Sequence, residues 1–136
     1  MLDTGPLVAF LNPRDQWHEA CAVHWRELAG RFITTEAVLT EASHVVARGG
    51  HSATLPHELI LAGAIPVVPL PDAARKRAIA LMRRYADLPM DYADASLIVV
   101  AEALVLDQVF TTDRRGFATY RIGGRRSFVL IPPVVG

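Results

Sequence analysis

LPMDYADASLIVVAEAL, residues 88–104, decides the fold. Pro89 closes the segment before it, Asp91 stands where a helix N-cap belongs, and Ala93, Ala95, Leu97, Ile98, Val99, Val100, Ala101, Ala103 and Leu104 follow. A helix apolar on nearly every side is one covered on every side, so residues 91–106 predict a central helix. Downstream, residues 109–111 read as a strand, Asp113 opens a short turn or helix, and residues 128–131 form a last strand closed by Pro132 and Pro133. Upstream, residues from Asp72 to the Pro89 stop form a basic amphipathic helix with Ala74, Ala78, Leu81, Met82 and Tyr85 inward. Before it come a β-branched, proline-flanked strand at 65–70 and a weaker helix at 52–63 that contains Pro56. A strand at 31–34 leads through Thr35 into a helix striped by Val38, Leu39, Ala42, Val45 and Val46 and ended by Gly49 and Gly50. The first clear helix covers 17–29, capped by Asp15 and stopped by Gly30. Short strands alternating with longer helices predict an α/β fold whose parallel sheet is covered on both faces.

The composition fits that reading. The chain has 136 residues, 51% of them apolar, enough for one domain with a real core. Fourteen basic and fourteen acidic side chains cancel, so no bulk charge draws it to nucleic acid or membrane, and such a partner must be met locally. Cys21 is alone, which excludes an internal disulfide and a cysteine-rich zinc site and fits a reducing compartment. No leader pattern precedes Arg14, and the longest uncharged run, 59–71, is broken by Gly63, Pro66 and Pro69; the expectation is a cytoplasmic protein without a membrane span.

In open α/β sheets ligands bind beyond the carboxyl ends of the strands, and acids recur at those junctions. Asp3 follows the start, Glu41 lies on the helix after the 31–34 strand, Asp91 and Asp94 open the central helix, and Asp113 follows the 109–111 strand. Taken singly, Asp91 and Asp113 read as helix caps, Asp94 as a first-turn acid and Glu41 as a helical surface residue. Taken together, they read as carboxylates converging on one pocket, tolerable when a hard dication, Mg²⁺ or Mn²⁺, neutralises them. Charge is also segregated: residues 88–110 hold four acids and no base, residues 111–136 five arginines and one aspartate.

With these residues in place the chain resembles the PIN-domain ribonucleases, in particular the toxins of VapBC-type toxin–antitoxin pairs. The resemblance rests on LDTGPLVAFLN (2–12), TTEAVLTEASHVV (34–46), the 88–104 stretch and VFTTDRRGFATYR (109–121). It implies a single PIN domain over 1–136, a three-layer α/β/α sandwich around a parallel sheet of four to five short strands. It also implies an endoribonuclease in which one or two Mg²⁺ or Mn²⁺ ions activate water against an RNA phosphodiester, leaving a 5′-phosphate and a 3′-hydroxyl. Asp3, Asp94 and Asp113 would hold metal directly or through water, with Glu41 and Asp91 as further ligands or water orienters. Thr112 would bond a phosphate or water, and Arg114 and Arg115 the RNA backbone. Tyr92, Phe117 and Tyr120 are the aromatic candidates for base stacking, and Gly123 and Gly124 mark a loop. The resemblance further implies a homodimer and a cognate antitoxin, whose groove is placed at Trp17, Trp25 and the apolar side of 38–46. One departure stands out: only Met1 and Leu2 precede Asp3 where the family has a longer first strand.

Other readings fare worse. Asp3–Thr4–Gly5 spells the triplet of aspartic proteases, an all-β fold that the helices contradict. A phospho-receiver needs a strand-end lysine, and Lys76, the sole lysine, lies mid-helix. Glu41 and His44 lack a second Glu-x-x-His pair, and His18, His24, His44, His51 and His57 lack zinc-ligand spacing. The remaining competitor is a PIN-like module that binds RNA or protein without cutting.

Overall fold

The computed structural model describes residues 1–132. Seven helices are found among them: α1 (Thr4–Leu11), α2 (His18–Glu27), α3 (Glu36–Arg48), α4 (Leu55–Ala62), α5 (Asp72–Arg84), α6 (Tyr92–Leu104) and α7 (Arg114–Thr119). Strands β1 (Gln108–Phe110) and β4 (Val129–Ile131) pair in parallel, and β2 (Arg121–Ile122) and β3 (Arg126–Ser127) form a small antiparallel hairpin.

Three further extended segments complete the parallel sheet through single bridges. Leu2 pairs with Phe110 and Thr34 with Val67, both in parallel. Leu2 N donates to Ile33 O at 2.8 Å, Phe110 N to Met1 O at 2.8 Å and Val68 N to Thr34 O at 2.9 Å. The spatial order is therefore 66–68, 32–34, 1–3, β1, β4, so chain order reverses between residues 1–3 and β1. Adjacent residues on a strand face opposite sides, and Val109 and Phe110 are both buried, which puts packed helices on each face.

The strands expected at 31–34 and 65–70 shrink to single bridges. Pro66 and Pro69 cannot donate to a ladder, so the edge segment offers few bonds to its neighbour. The 31–34 segment has only that neighbour and the equally short 1–3 segment beside it. The short start before Asp3 is nonetheless bonded on both sides, at the centre of the sheet.

Helix α1 was absent from the sequence reading. TGPLVAFL shows no amphipathic period because both its sides are buried, and Pro6 is tolerated in the first turn, where its missing N–H has no acceptor. Asp15 caps a different group from the one expected: Oδ1 accepts from Trp17 N at 2.8 Å, fixing the turn before α2, whose N-cap is Trp17. The Gly123–Gly124 loop is the turn of the β2–β3 hairpin, with φ of +61° and +75°, values glycine adopts freely. Glu102 on α6 pins this hairpin, accepting from Gly123 N at 3.1 Å and from Arg77 of α5 in a two-pronged ion pair at 2.9 and 3.0 Å. Pro133 lies outside the described residues.

Most residues expected to line a partner groove are core residues, while Trp17 and Val45 line a cavity. Trp25 stacks on Phe10 with ring centroids 4.4 Å apart and packs on Phe32, while Val38, Leu39, Ala42 and Val46 are buried beneath α3. Their apolar surface is already consumed by the fold. Of that set Trp17 is the most exposed, at 36%.

Candidate active site

Where chain order reverses, helices leave the sheet on opposite faces and open a crevice at the carboxyl ends of the two central segments. A cavity of about 430 Å³ lies there, lined by Asp3, Glu41, Asp91, Asp94 and Asp113 together with Thr112. All five sequence-predicted carboxylates thus meet in one place.

Local structure explains the four aspartates, and Glu41 reaches the cavity from the middle of α3. Asp3 ends the first sheet segment and is the N-cap of α1; Asp91 and Asp113 are the N-caps of α6 and α7. Asp91 and Asp94 form a reciprocal capping box: Asp91 accepts from Asp94 N at 2.8 Å and Asp94 from Asp91 N at 3.4 Å. Asp113 accepts from Gly116 N at 3.1 Å. Capping and convergence are therefore the same arrangement. Three helix N-termini aim their positive ends at the cavity and offset part of the repulsion among the acids.

Hydroxyls hold the remaining orientations. Thr111 Oγ1 donates to Asp3 Oδ2 at 2.7 Å and accepts from Asp113 N at 2.9 Å, tying two acids to one buried side chain. Tyr120 donates its phenol to Asp94 Oδ2 at 3.3 Å. Tyr120 and Phe117 are core residues packed edge to face and are closed to a base, whereas Tyr92 is half-buried.

The electrostatics record the crowding. Burial, reinforced by the charges of Asp113 and Asp91, raises Asp3 to about 6 even though Thr111 bonds it. Burial and the neighbouring Asp91 raise Glu41 to about 7. Burial, then the charges of Asp3 and Asp91, raise Asp94 to about 8. At neutral pH without a cation Asp94 therefore keeps its proton and Glu41 is close to half-protonated, while Asp3 is mostly ionised.

Whether a cation fits is decided by the donors. Every candidate ligand is an oxygen, the preference of Mg²⁺ and Mn²⁺, and Thr4 Oγ1 is buried against this cavity without a well-formed hydrogen bond. Among the described residues no three acidic, cysteine or histidine side chains close into a metal-holding cluster. The oxygen-only donor set fits a hard dication such as Mg²⁺ or Mn²⁺, which these carboxylates would hold directly or through water.

The flanks differ from the sequence reading in two respects. Neither arginine lines the cavity: Arg114 lies behind the cavity-lining Trp17, 5.9 Å from its ring centre, and donates to Pro132 O at 2.9 Å, while Arg115 is exposed. Asp15, Trp17 and Thr4 line the cavity and were missed. Thr4 follows Asp3 directly and was legible as part of the same strand end; Asp15 and Trp17 reach the site only because α1 folds back, which no local pattern signals.

The PIN domain family profile matches residues 1–122. The chain is 30% identical over 135 residues to ribonuclease VapC26 of Mycobacterium tuberculosis (strain ATCC 25618 / H37Rv), covering 97% of this chain and 99% of that protein. Its fold matches the crystal structure of VapC20 of Mycobacterium tuberculosis, a sarcin–ricin-loop-cleaving toxin, with a TM-score of 0.76 and 18% identity over 83% of this chain and 88% of that one.

Proposed function

This chain belongs to the PIN domain family, and on that premise we propose that it is a divalent-metal-dependent endoribonuclease, the toxin of a type II toxin–antitoxin pair. The observation that carries the proposal is the meeting of five carboxylates at the point where sheet order reverses. Ribonuclease VapC26, aligned over nearly the whole length, supports the substrate class. We further propose that the domain spans 1–136, acts as a homodimer in the cytoplasm, and is held inactive by a cognate antitoxin.

Asp3, Asp94 and Asp113 would hold Mg²⁺ or Mn²⁺, directly or through water, with Glu41 and Asp91 completing the ring. When bound, the ion neutralises charge on the scissile phosphate and lowers the pKa of water. The chain's own groups do the rest. Thr111 fixes Asp3 relative to Asp113, and the capping box fixes Asp94 relative to Asp91. Glu41, which lines the cavity beside Asp91, would orient the attacking water. Thr112 offers a hydroxyl to a phosphate oxygen, and Arg114 a guanidinium to the flanking backbone. Attack of water oxygen on phosphorus breaks the bond to the 3′ oxygen, which takes up a proton, leaving a 3′-hydroxyl and a 5′-phosphate.

Purified chain should cleave a fluorogenic single-stranded RNA with Mg²⁺ or Mn²⁺ and lose that activity in EDTA. Cleavage indifferent to EDTA rejects the metal dependence, whereas no cleavage of total RNA together with no calorimetric Mg²⁺ or Mn²⁺ binding rejects the nuclease in favour of a module that binds without cutting.

The glycines beside the acids provide a finer test. A Cβ on Gly5 would strike the Thr112 hydroxyl, and one on Gly116 would strike the Asp113 carboxylate and come within 3.1 Å of the Tyr120 ring. Gly5→Ala and Gly116→Ala should each lower kcat by about 10²-fold, the scale of an ångström's misplacement, at a stability cost of about 1–3 kcal/mol. Melting curves measured beside initial rates separate the two effects; unchanged rates in both variants would show that Thr112 and Asp113 tolerate displacement.

A further inference from the structure

A second and larger cavity, about 710 Å³, opens beside the first between α3, the start of α6 and the 66–70 edge segment. Glu41 and Asp91 line both cavities, so the two are continuous through the carboxylate ring. Its walls are different in kind: Val68, Pro69, Leu70 and Ala93 make it mostly apolar. At its side the Arg75 guanidinium lies 5.5 Å from the centre of the half-buried Tyr92 ring.

The chemistry of the lining narrows the occupant. Arg75 is the one lysine or arginine among the lining residues, against the carboxylates of Glu36, Glu41 and Asp91, so a free anion is repelled. A neutral, flat, largely apolar group with hydrogen-bonding edges is what these walls accept. Deep polar atoms are already satisfied: Thr35 Oγ1 and Ser96 Oγ share a 2.7 Å hydrogen bond. Edge contacts are left to Thr40 and His44, which are exposed on α3. An aromatic ring with a guanidinium over it is the platform on which unpaired bases stack, and the guanidinium also faces the phosphate that follows such a base.

We propose that this second cavity is a nucleobase subsite, taking one unpaired base of the RNA strand on the Tyr92–Arg75 pair while the adjoining phosphate lies at the carboxylates. The proposal rests on the ribonuclease reading for its substrate. It adds where sequence preference originates: in Tyr92 and Arg75, outside the catalytic ring. Because the cavity adjoins the ring, the base it selects is one immediately next to the cut, and a duplex is refused since its bases are not free to turn in.

The test uses the whole chain on a pool of single-stranded RNAs of random sequence, mapping cut sites and measuring kinetics for the wild type, Tyr92→Ala, Tyr92→Phe, Arg75→Ala and Thr40→Trp. Thr40→Trp fills the cavity from an exposed helical position and so covers the case in which Tyr92→Ala fails to fold. The wild type should favour particular bases at one position beside the cut. Tyr92→Ala and Thr40→Trp should flatten that preference and raise KM about tenfold with kcat within about twofold, as loss of one stacked base does, while Tyr92→Phe keeps both. An unchanged cut-site profile and KM in Tyr92→Ala, Arg75→Ala and Thr40→Trp overturns the subsite. So does a wild-type dimer in sedimentation that Thr40→Trp converts to monomer, since a second copy would then cover the cavity. If the wild type cuts nothing, anisotropy of the labelled pool decides separately. RNA binding weakened about tenfold by Thr40→Trp keeps the subsite while the hydrolytic reading falls, and equal or absent binding removes both.

Discussion

Asp94→Asn is expected to lower RNA cleavage by at least about 10³-fold, some 4 kcal/mol of transition-state stabilisation, while the protein stays folded. The substitution keeps the shape and an acceptor oxygen for Asp91 N and the Tyr120 hydroxyl, so the capping box and the contact with α7's end can persist. What it removes is one negative charge among five. Asp94→Ala would be a poorer probe, because it also takes away the acceptor that closes the start of α6. Initial rates on a fluorogenic RNA, beside a melting curve without metal, check the expectation. A variant that cleaves at the wild-type rate would take Asp94 out of the machinery and with it the central-helix motif.

Most of this site was legible in the sequence because its parts are local. A cap residue before an apolar run is visible in DYADASLIVV, and strand-end placement marks Asp3 and Asp113 without tertiary knowledge. The capping and the convergent readings of Asp91 and Asp94 both hold, since an N-terminus that needs a carboxylate also points that carboxylate at the crevice. The failures are non-local. Helix α1 has no polar side to reveal its period, and Trp17 and Asp15 reach the cavity only through its return. Trp25 reads equally as core or interface from sequence, and the packing of Phe10 and Phe32 on it makes it core. Strand lengths fail for a related reason: apolar β-branched composition at 65–70 signals burial, but prolines decide how many ladder bonds can form.

The carboxylate ring should cost the metal-free protein stability as the pH rises from 4 toward 8, the reverse of the usual acid denaturation, offset in part between pH 6 and 8 by the Met1 ammonium, which burial lowers from 8.0 to about 6. Asp3 is raised from 3.8 to about 6, Glu41 from 4.5 to about 7 and Asp94 from 3.8 to about 8, in each case with burial as the largest cause. Across that window the folded chain holds protons that the unfolded chain has released, so each further rise in pH favours unfolding. Asp3, almost fully buried, contributes up to about 3 kcal/mol between pH 4 and pH 6; Glu41 and Asp94, crowded by the same neighbouring acids, extend the loss to pH 8 rather than adding in full. For a chain of this size the fall in Tm should be on the order of 10 °C. Saturating Mg²⁺ or Mn²⁺ at pH 8 should recover about 2–3 kcal/mol, as a ligand at about a hundred times its Kd does, and should recover little at pH 5, where protons already neutralise the ring. Asp94→Asn should flatten the upper half of the pH profile and weaken the response to metal. Thermal melts from pH 4 to 8 in EDTA and in excess dication measure all three. A Tm that rises with pH in EDTA and ignores the dication would mean that the carboxylates are solvated apart from one another and do not form a cation site.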